Sequence, residues 1–185
     1  MENKREKITD VVEKILVTEE QIKTRVKELG EVISRDYEGR EICVLCVLTG
    51  SFMFASDIVR ALSVPARVMC LFATSYEGTE SVGKVDIIKG KGFNVKDKDI
   101  LIVEDIVDTG RTLTAVREIL LNEGAKTVEI CTFLDKPERR VVDLVPKYIG
   151  FDIPNEFVVG YGLDYDHRYS QFPFVGVLKP EIYEN

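Results

Sequence analysis

The sequence predicts an α/β fold: a mostly parallel sheet with helices on both faces, followed by a smaller β-rich part. Short, almost wholly apolar runs alternate along the chain with segments of helical periodicity, the pattern of strands buried on both faces of a parallel sheet. The predicted buried strands are residues 42–48, 66–72, 100–103 and 127–134. After them, residues 137–185 carry five prolines and only short apolar runs, which indicates a β-rich segment.

Helical segments separate these strands. Thr18 and Gln21 have the spacing of a capping box, and apolar residues at helical spacing follow, so residues 19–37 are predicted to form a helix. Residues 52–62 and 113–122 also place their apolar residues on one helical face. Consecutive strands joined through helices are expected to run parallel.

The chain between the second and third strands has a different character. Residues 73–99 are polar and contain several glycines, with one short strand-like run at 85–88. Connections of this length are uncommon in compact domains and are often lids or hairpins over a binding site. We therefore expect residues 73–99 to lie beside the site.

Length and charge limit the domain organisation and the partners. A chain of 185 residues is long enough for one domain with a full core, here expected over residues 1–185. We expect the core at about 15–136 and the β-rich part, called the hood below, mainly at 137–185. The net charge of −7 argues against a nucleic-acid partner. No apolar run approaches a membrane span and the first residues lack a signal-peptide pattern, so we expect a cytoplasmic protein without a membrane partner.

Cysteine and histidine chemistry is poorly supported. Cys43 and Cys46 have C-x-x-C spacing but lie within the predicted strand 42–48, where residues three apart face opposite sides. We expect them to be buried apolar residues rather than a metal or redox pair. His167 is the one histidine, so a Ser-His-Asp or multi-histidine metal mechanism is not indicated.

Residues 101–112 are the most informative segment for function. They read Leu-Ile-Val-Glu-Asp-Ile-Val-Asp-Thr-Gly-Arg-Thr, an apolar strand that runs into acids and then a donor-rich turn before a helix. Backbone N–H groups at such a helix start can bind phosphate, the hydroxyls of Thr109 and Thr112 add donors, and Gly110 allows close approach. The alternative is an ordinary strand–turn–helix with Asp108 as its N-cap.

The three acids of this segment are expected to have a role other than binding phosphate, because carboxylates repel a phosphate. Glu104 and Asp105 are suited to the hydroxyls of a ribose or to a metal ion. Asp108, at the start of the turn, is suited to proton transfer.

Ligands of parallel sheets bind beyond the carboxyl ends of the strands, which adds residues 48–51 and Asp135-Lys136 as candidates. Lys136 follows the strand 127–134 and could donate to a carbonyl oxygen; a solvated surface lysine is the alternative. Phe157 could stack on a flat base or simply pack in the core. Asp164 follows two glycines that permit a chain reversal and presents a carboxylate suited to Mg²⁺.

The segment 101–112 resembles the signature of the type I phosphoribosyltransferases, which bind 5-phosphoribosyl-1-pyrophosphate. Further motifs resemble the purine branch of that family, of the hypoxanthine-guanine kind, over about residues 15–182. These motifs are Leu-Thr-Gly-Ser-Phe-Met-Phe (48–54), Ser75-Tyr76, Leu-Asp-Lys-Pro-Glu-Arg-Arg (134–140) and Phe-Val-Val-Gly-Tyr-Gly-Leu-Asp-Tyr (157–165). The resemblance implies a type I phosphoribosyltransferase core with a small hood. It also implies transfer of a phosphoribosyl group to a 6-oxopurine with Mg²⁺, and a homodimer or homotetramer.

The resemblance also implies roles for individual residues. Asp108 would accept the proton from purine N7, Lys136 would donate to the 6-oxo group, and Phe157 would stack on the base beside the Val158 backbone. The residues implied to bind the 5′-phosphate are Asp108, Thr109, Gly110, Arg111 and Thr112. Those implied to contact the ribose or Mg²⁺ are Glu104, Asp105 and Asp164. Those implied to cradle pyrophosphate, after a cis Leu48–Thr49 bond, are Leu48, Thr49, Gly50 and Ser51, with Ser75 and Tyr76 on a loop that closes over the reaction.

The sequence departs from the family pattern at Ser170, at Glu77 in the loop after Ser75-Tyr76, and around Met69, where the family usually has an acid. Ser170 stands where the family usually has an arginine that helps bind pyrophosphate, and Arg168 lies two residues away. Weaker pyrophosphate binding is therefore expected. Three alternatives stay open: a phosphoribosyltransferase for another base such as xanthine or a pyrimidine, a regulatory RNA-binding homologue, and a phosphate-binding homologue without transfer activity.

Overall fold

The computed structural model describes residues 8–75, 85–90 and 92–184. Its elements in chain order are α1 (Ile8–Val11), β1 (Val12–Val17), α2 (Glu19–Asp36), β2 (Ile42–Leu48), α3 (Phe52–Ala61), β3 (Ala66–Ser75), β4 (Val85–Lys89), β5 (Asp99–Val107), α4 (Arg111–Asn122), β6 (Thr127–Asp135), a 3₁₀ turn (Pro137–Arg139), β7 (Tyr148–Asp152), β8 (Val158–Val159), β9 (Val175–Leu178) and α5 (Pro180–Tyr183).

A mostly parallel sheet forms the centre of the molecule, which confirms the predicted fold class. Among the described residues its six strands lie in the order β4-β3-β2-β5-β6-β7, and only β4 runs antiparallel to its neighbour. The carboxyl ends of β2, β5 and β6 therefore meet at one edge. The candidate segments 48–51, 104–112 and 135–136 lie at these three strand ends.

Helices cover both faces of this sheet. On one face, α2 and α3 bury residues such as Ile33, Phe54 and Ile58. On the other face, α4 buries Val116 and Leu120. A continuous apolar strand is needed between two such layers, since neither of its faces meets water.

The two cysteines of the C-x-x-C pattern lie on opposite faces of β2, as predicted. Cys46 belongs to the cluster with α2 and α3, whereas Cys43 belongs to the cluster with α4. All four cysteines are free thiols, and Cys43, Cys46 and Cys131 are buried. Burial raises the pKa of Cys46 to about 11, so this thiol is inert at neutral pH.

The capping box at the start of α2 is present as predicted. The Gln21 N–H donates to Thr18 Oγ1 at 3.3 Å, and the Thr18 N–H donates to Gln21 Oε1 at 2.8 Å. Two N–H groups that the first turn leaves without helical partners are thereby satisfied. The helix ends at Asp36, one residue before the predicted end.

Strand β5 is longer than predicted. The prediction ended it at residue 103, before the acids, but pairing with β6 continues from Glu104↔Thr132 to Val107↔Asp135. Strand hydrogen bonds involve the backbone alone, so an acidic side chain does not end a strand whose neighbour continues. Glu104 and Asp105 therefore lie within β5, and α4 begins at Arg111, two residues before its predicted start.

The prediction that residues 66–72 are buried on both faces is wrong. Leu71 is buried, but Val68 (54% exposed), Phe72 (45% exposed) and Cys70 lie open on the other face of β3. Helix α3 packs against β2 and β5 and leaves this face of β3 uncovered. An apolar run alone does not show whether a helix covers it.

A second, antiparallel sheet forms the hood, in the order β1-β9-β8. Its first strand comes from the amino-terminal part of the chain, while β7 of the C-terminal part joins the main sheet. Within the described residues, no helix is both long and apolar enough to cross a membrane.

Candidate active site

Two adjoining cavities lie at the carboxyl edge of the main sheet. The first, of about 230 Å³, is lined by residues 47–50, 104–110 and 112–113 with Ala73. The second, of about 440 Å³, is lined by Lys136, Arg139, residues 155–158, Leu163 and Asp164. Ile106 and Asp108 line both cavities. A ligand with two parts could thus occupy both cavities with its junction beside Asp108.

The loop between β5 and α4 forms one end of the first cavity. Gly110 has φ of +81° and occupies the N-cap position of α4, where it has no side chain to cap the helix. The Arg111 N–H makes a long bond of 3.5 Å to Thr109 Oγ1. The alternative in which Asp108 caps the helix is therefore not observed. Thr109 and Thr112 are partly buried in this loop, and Arg111 is exposed. Uncapped N–H groups at a helix start favour an anion.

Glu104 and Asp105 form a desolvated pair of acids in the same cavity. Glu104 Oε2 is buried and has no hydrogen-bond partner among the described residues. Burial raises the pKa of Glu104 well above its usual value, and neighbouring Asp105 adds to this shift. Burial also raises the pKa of Asp105, although the Ile106 N–H donates to its Oδ1 at 2.8 Å. A cation or hydroxyl donor would stabilise the charged forms.

The turn after β2 packs directly against these acids. Its Leu48–Thr49 peptide bond is cis, as the resemblance implied. A Cβ on Gly50 would lie 1.7 Å from Asp105 Oδ2, and a Cβ on Gly162 would lie 2.1 Å from the Gly50 carbonyl oxygen. Glycine is therefore required at both positions, because three segments distant in the sequence meet there.

Ser51 is the member of this turn that does not line the cavity. Its side chain is fully buried, where Oγ donates to the Val47 carbonyl at 2.5 Å and lies 3.2 Å from Cys46 Sγ. Leu48, Thr49 and Gly50 do line the cavity. The Ser51 hydroxyl thus fixes the turn, and its contact with pyrophosphate stays a prediction.

Lys136 is buried in the wall of the second cavity, so the alternative of a solvated surface lysine is wrong. Its Nζ donates to the Glu156 carbonyl at 2.7 Å. Burial lowers the pKa of Lys136, and Asp108 partly opposes this shift. A buried ammonium with further donors can bond an oxygen of a ligand in this cavity.

Phe157 stands at the mouth of the second cavity and is 41% exposed, so it is not a core residue. Its ring stacks on Tyr183 of α5 at 5.0 Å between centroids, with 21° between the planes. Val158 is buried beside it in β8. Aromatic rings held in this way are platforms for flat ligands.

Asp108 and Asp164 complete the site. Asp108 is ion-paired with Arg139, whose Nε lies 2.6 Å from Oδ1. Asp164 accepts the His167 N–H at 2.8 Å, and its charge is one of the causes that raise the pKa of Asp105. Within the described ranges no three metal-binding side chains are assembled at one point.

Several residues of the site were missed in the sequence. Arg139, Asn155 and Leu163 line the second cavity. Arg139 and Leu163 lie inside the quoted 134–140 and 157–165 motifs, which are the available signals, whereas Asn155 lies in neither motif. Ser75 is the last residue of β3, and Tyr76 lies outside the described residues.

The comparisons with known proteins agree with this geometry. Residues 14–166 match the phosphoribosyl transferase domain family. The chain is 49% identical over 173 residues to a hypoxanthine-guanine phosphoribosyltransferase of Lactococcus lactis, covering 93% of this chain and 94% of that protein.

Solved structures give the same result. A hypoxanthine phosphoribosyltransferase from Staphylococcus aureus superposes with a TM-score of 0.90 at 44% identity, covering 94% and 95% of the two chains. A hypoxanthine phosphoribosyl transferase of Trypanosoma cruzi, studied for the role of its C-terminal region in oligomeric state and activity, has a TM-score of 0.89 at 39% identity, with 95% of each chain covered. With a matching domain over most of its length and relatives of this similarity, the chain belongs to the phosphoribosyltransferase family.

Proposed function

We propose that this chain transfers the 5-phosphoribosyl group from phosphoribosyl pyrophosphate to hypoxanthine or guanine, which gives IMP or GMP and pyrophosphate. The observation that carries the proposal is the pair of cavities that share Asp108. The first has a phosphate-type loop and acids, and the second has a buried lysine beside an exposed aromatic ring. Activated sugar in the first cavity and purine in the second would meet at Asp108.

The 5′-phosphate is proposed to bind the loop of Thr109, Gly110, Arg111 and Thr112. Its oxygens would accept hydrogen bonds from the N–H groups at the start of α4 and from the two threonine hydroxyls. The net charge of −7 does not oppose this binding, because a local cluster of N–H donors acts at short range.

Glu104 and Asp105 are proposed to accept the ribose hydroxyls and, with Asp164, to hold Mg²⁺. The residues fit this ion: a desolvated acid pair with an unpartnered oxygen lies within the field of a third acid. Mg²⁺ usually binds through one or two carboxylates, waters and substrate phosphates, so a complete protein cage is not required. When bound, Mg²⁺ would neutralise charge on the departing pyrophosphate.

The reaction replaces the bond from ribose C1 to pyrophosphate with a bond from C1 to purine N9. As the purine attacks, Asp108 accepts the proton from N7, a general-base contribution typically worth about 10²–10⁴-fold. Lys136 donates to the 6-oxo group, Phe157 stacks on the ring, and the Val158 backbone contacts its edge. Arg139 must release Asp108 for this step, since its Nε occupies the carboxylate oxygen Oδ1 at 2.6 Å.

The leaving pyrophosphate is proposed to bind the turn of Leu48, Thr49, Gly50 and Ser51, with Ser75 and Tyr76 on the closing loop. A closed loop would keep water from C1, where it would hydrolyse the activated sugar. Because Gly50 touches both Asp105 and Gly162, the turn is held beside the ribose acids.

We also propose that the chain forms a homodimer or homotetramer through the open face of β3 and β4. Phe72 pairs in register with Ile88, which is 67% exposed, so their side chains lie together beside Val68. A contiguous apolar sheet face is unusual on a monomer. Closed homo-oligomers are the commonest assemblies, which favours a second copy as the occupant.

The test is a transfer assay with phosphoribosyl pyrophosphate, with and without Mg²⁺, on hypoxanthine, guanine, xanthine, adenine and uracil. We expect Mg²⁺-dependent formation of IMP and GMP. Adenine should give little product, because its 6-amino group needs an acceptor and Lys136 can only donate. Preference for xanthine or uracil would replace the proposed base with one of the alternatives. Absence of product from all five bases would identify a homologue without transfer activity.

A further inference from the structure

A largely buried ion pair lies behind residues 109–112, the loop proposed to bind the 5′-phosphate and called the phosphate loop below. None of the proposed roles involves this pair. Arg140 follows the 3₁₀ turn, and its Nη2 is bonded to Oδ1 of Asp135, the last residue of β6. The side chains are 13% and 7% exposed. A pair removed from water in this way has to be fully compensated to be stable.

One nitrogen of this pair has no partner. Arg140 Nη1 is buried and unbonded among the described residues. The same atom would lie 3.1 Å from a Cβ built on Gly110, and Arg140 Cδ would lie 3.0 Å from it. The arginine side chain therefore lies against the backbone of the phosphate loop at its left-handed residue.

The surrounding segment is bonded to the same loop. The Val141 N–H donates to the Thr109 carbonyl at 3.2 Å, and the Lys136 N–H donates to the Val107 carbonyl at 2.9 Å. Val142 Cγ2 would lie 2.9 Å from a Gly110 Cβ. The chain from Asp135 to Val142 thus forms the back wall of the loop, with Arg140 as the cation that lies against Gly110.

We propose that Arg140, anchored by Asp135, is a positioning residue for the 5′-phosphate. It holds Gly110 in the conformation in which the loop N–H groups converge, and it places a positive charge behind the bound anion. An unbonded buried cationic donor is unfavourable in the free protein. Entry of a phosphate brings acceptor oxygens and further negative charge toward this unbonded nitrogen. The inference rests on the proposed function, because it assumes that the loop binds the sugar phosphate.

The same pair joins the two cavities. Asp135 immediately precedes Lys136, the proposed purine-reading residue, and Asp135 lies opposite Val107 in the register of β5 and β6. Movement of the strand end would therefore displace both Lys136 and Gly110. Only the phosphate side is tested below, since that is where the unpartnered nitrogen lies.

The experiment measures binding of ribose 5-phosphate and of pyrophosphate by calorimetry, which does not require turnover. Arg140→Lys keeps the charge but loses the fork that reaches both Asp135 and Gly110, so ribose 5-phosphate should bind about tenfold more weakly. Pyrophosphate, which is proposed to bind the 48–51 turn, should bind as before. Arg117→Lys is the matched control, because Arg117 is exposed on α4.

A second variant guards against unfolding, since a lone partner of a buried pair is destabilising. Asp135→Asn with Arg140→Gln removes both charges together and should also bind ribose 5-phosphate at least tenfold more weakly. Unchanged ribose 5-phosphate affinity in both variants overturns the inference, as does equal weakening of both ligands. If the parent binds ribose 5-phosphate but makes no nucleotide, the proposed function fails while the inference is still decided. If the parent does not bind ribose 5-phosphate, both fail.

Discussion

At the scale of single residues, the acids of β5 and its turn differ in their surroundings. Glu104 has a buried, unpartnered oxygen, whereas the Asp108 side chain is 41% exposed and ion-paired. A desolvated carboxyl is suited to a cation or hydroxyl, while an exposed one can exchange a proton with a ligand. Two environments in one short segment therefore separate two roles.

Asp108→Asn should lower kcat by about 10²-fold or more, with the KM for phosphoribosyl pyrophosphate changed far less. The amide keeps the shape of the side chain but cannot accept the purine proton. Steady-state kinetics with hypoxanthine measure both constants. Asp143→Asn, at an exposed position, is the matched control. Equal kcat in the Asp108 variant and the parent would remove Asp108 from the base role.

Glu104→Gln should stabilise the free protein at pH 7 while lowering its activity. The folded-state pKa of Glu104 is raised above its unfolded value, so the folded protein holds the proton more tightly. The parent therefore loses stability as pH rises above about 4.5. The Tm difference between variant and parent should be small near pH 4 and grow toward pH 7. With Glu118→Gln, an exposed control, no such growth is expected; a difference independent of pH would contradict the prediction.

At the scale of residues, the sequence predicts some members of the site but not others. Asp108 and the loop after it were found, because phosphate binding needs a recognisable order of donors and a glycine. Burial of Lys136 was not found, because it depends on the Glu156 carbonyl, twenty residues further on. Arg140 was also missed, since its partner Asp135 and its neighbour Gly110 meet only through the sheet.

At the scale of elements, the chain from Gly160 to Ser170 links the hood to the turn at residues 48–51, which is proposed to bind pyrophosphate. The Gly162 N–H donates to the Ser170 carbonyl at 3.0 Å, and Gly162 packs against Gly50. Ser170 is partly buried and Arg168 is exposed. Ser170, where the family usually has arginine, is thus connected to the turn through Gly162.

Ser170→Arg should lower the KM for phosphoribosyl pyrophosphate, because arginine makes forked, charge-assisted bonds to phosphate that serine cannot make, each worth about 1–3 kcal/mol. Gln171→Arg adds the same charge at the next, exposed position and should have less effect. If Arg168→Ala raises the constant while Ser170→Arg leaves it unchanged, Arg168 already compensates. If neither changes it, this segment does not contact the leaving group.

Helix α5 supports the purine platform. Tyr183→Ala should raise the KM for hypoxanthine by about 2–10-fold, since an aromatic pair is worth about 0.5–1.5 kcal/mol. The constant for phosphoribosyl pyrophosphate should not change, because the ring touches Phe157 rather than the phosphate loop. Tyr183→Phe keeps the ring and should restore the parent value. A raised KM for hypoxanthine in both variants, or a raised KM for both substrates, would indicate a structural effect instead.

The elements themselves were largely predictable, and the exceptions have a physical cause. Helix α2 and strand β2 depend on local periodicity and capping, and both were found. The length of β5 depends on its neighbour β6, and the open face of β3 depends on where α3 lies. Neither dependence is visible in a window of local sequence.

At the scale of the whole molecule, the hood is built from both ends of the described chain. β1 pairs with β9, so Val12 lies opposite Leu178. The sequence indicated a β-rich C-terminal segment but gave no reason to add residues 12–17, because such a pairing joins positions far apart. Local sequence also does not predict what covers the open face of β3 and β4, which we propose is a second copy of the chain.

Phe72→Glu should shift the protein from an oligomer toward a monomer of about 21 kDa, since a charge buried in an apolar interface is unfavourable. Light scattering after size exclusion gives the mass directly. Leu121→Glu, at an exposed position of α4, should leave the mass unchanged. A parent protein of single-chain mass would contradict the proposed assembly.

The open face of β3 also makes one thiol chemically distinct. Cys70 is exposed, whereas Cys43, Cys46 and Cys131 are buried. A maleimide dye should therefore label the native protein at one position without any engineered cysteine. Since Cys70 lies between Val68 and Phe72, the labelling rate would report how much of this face is covered at each protein concentration.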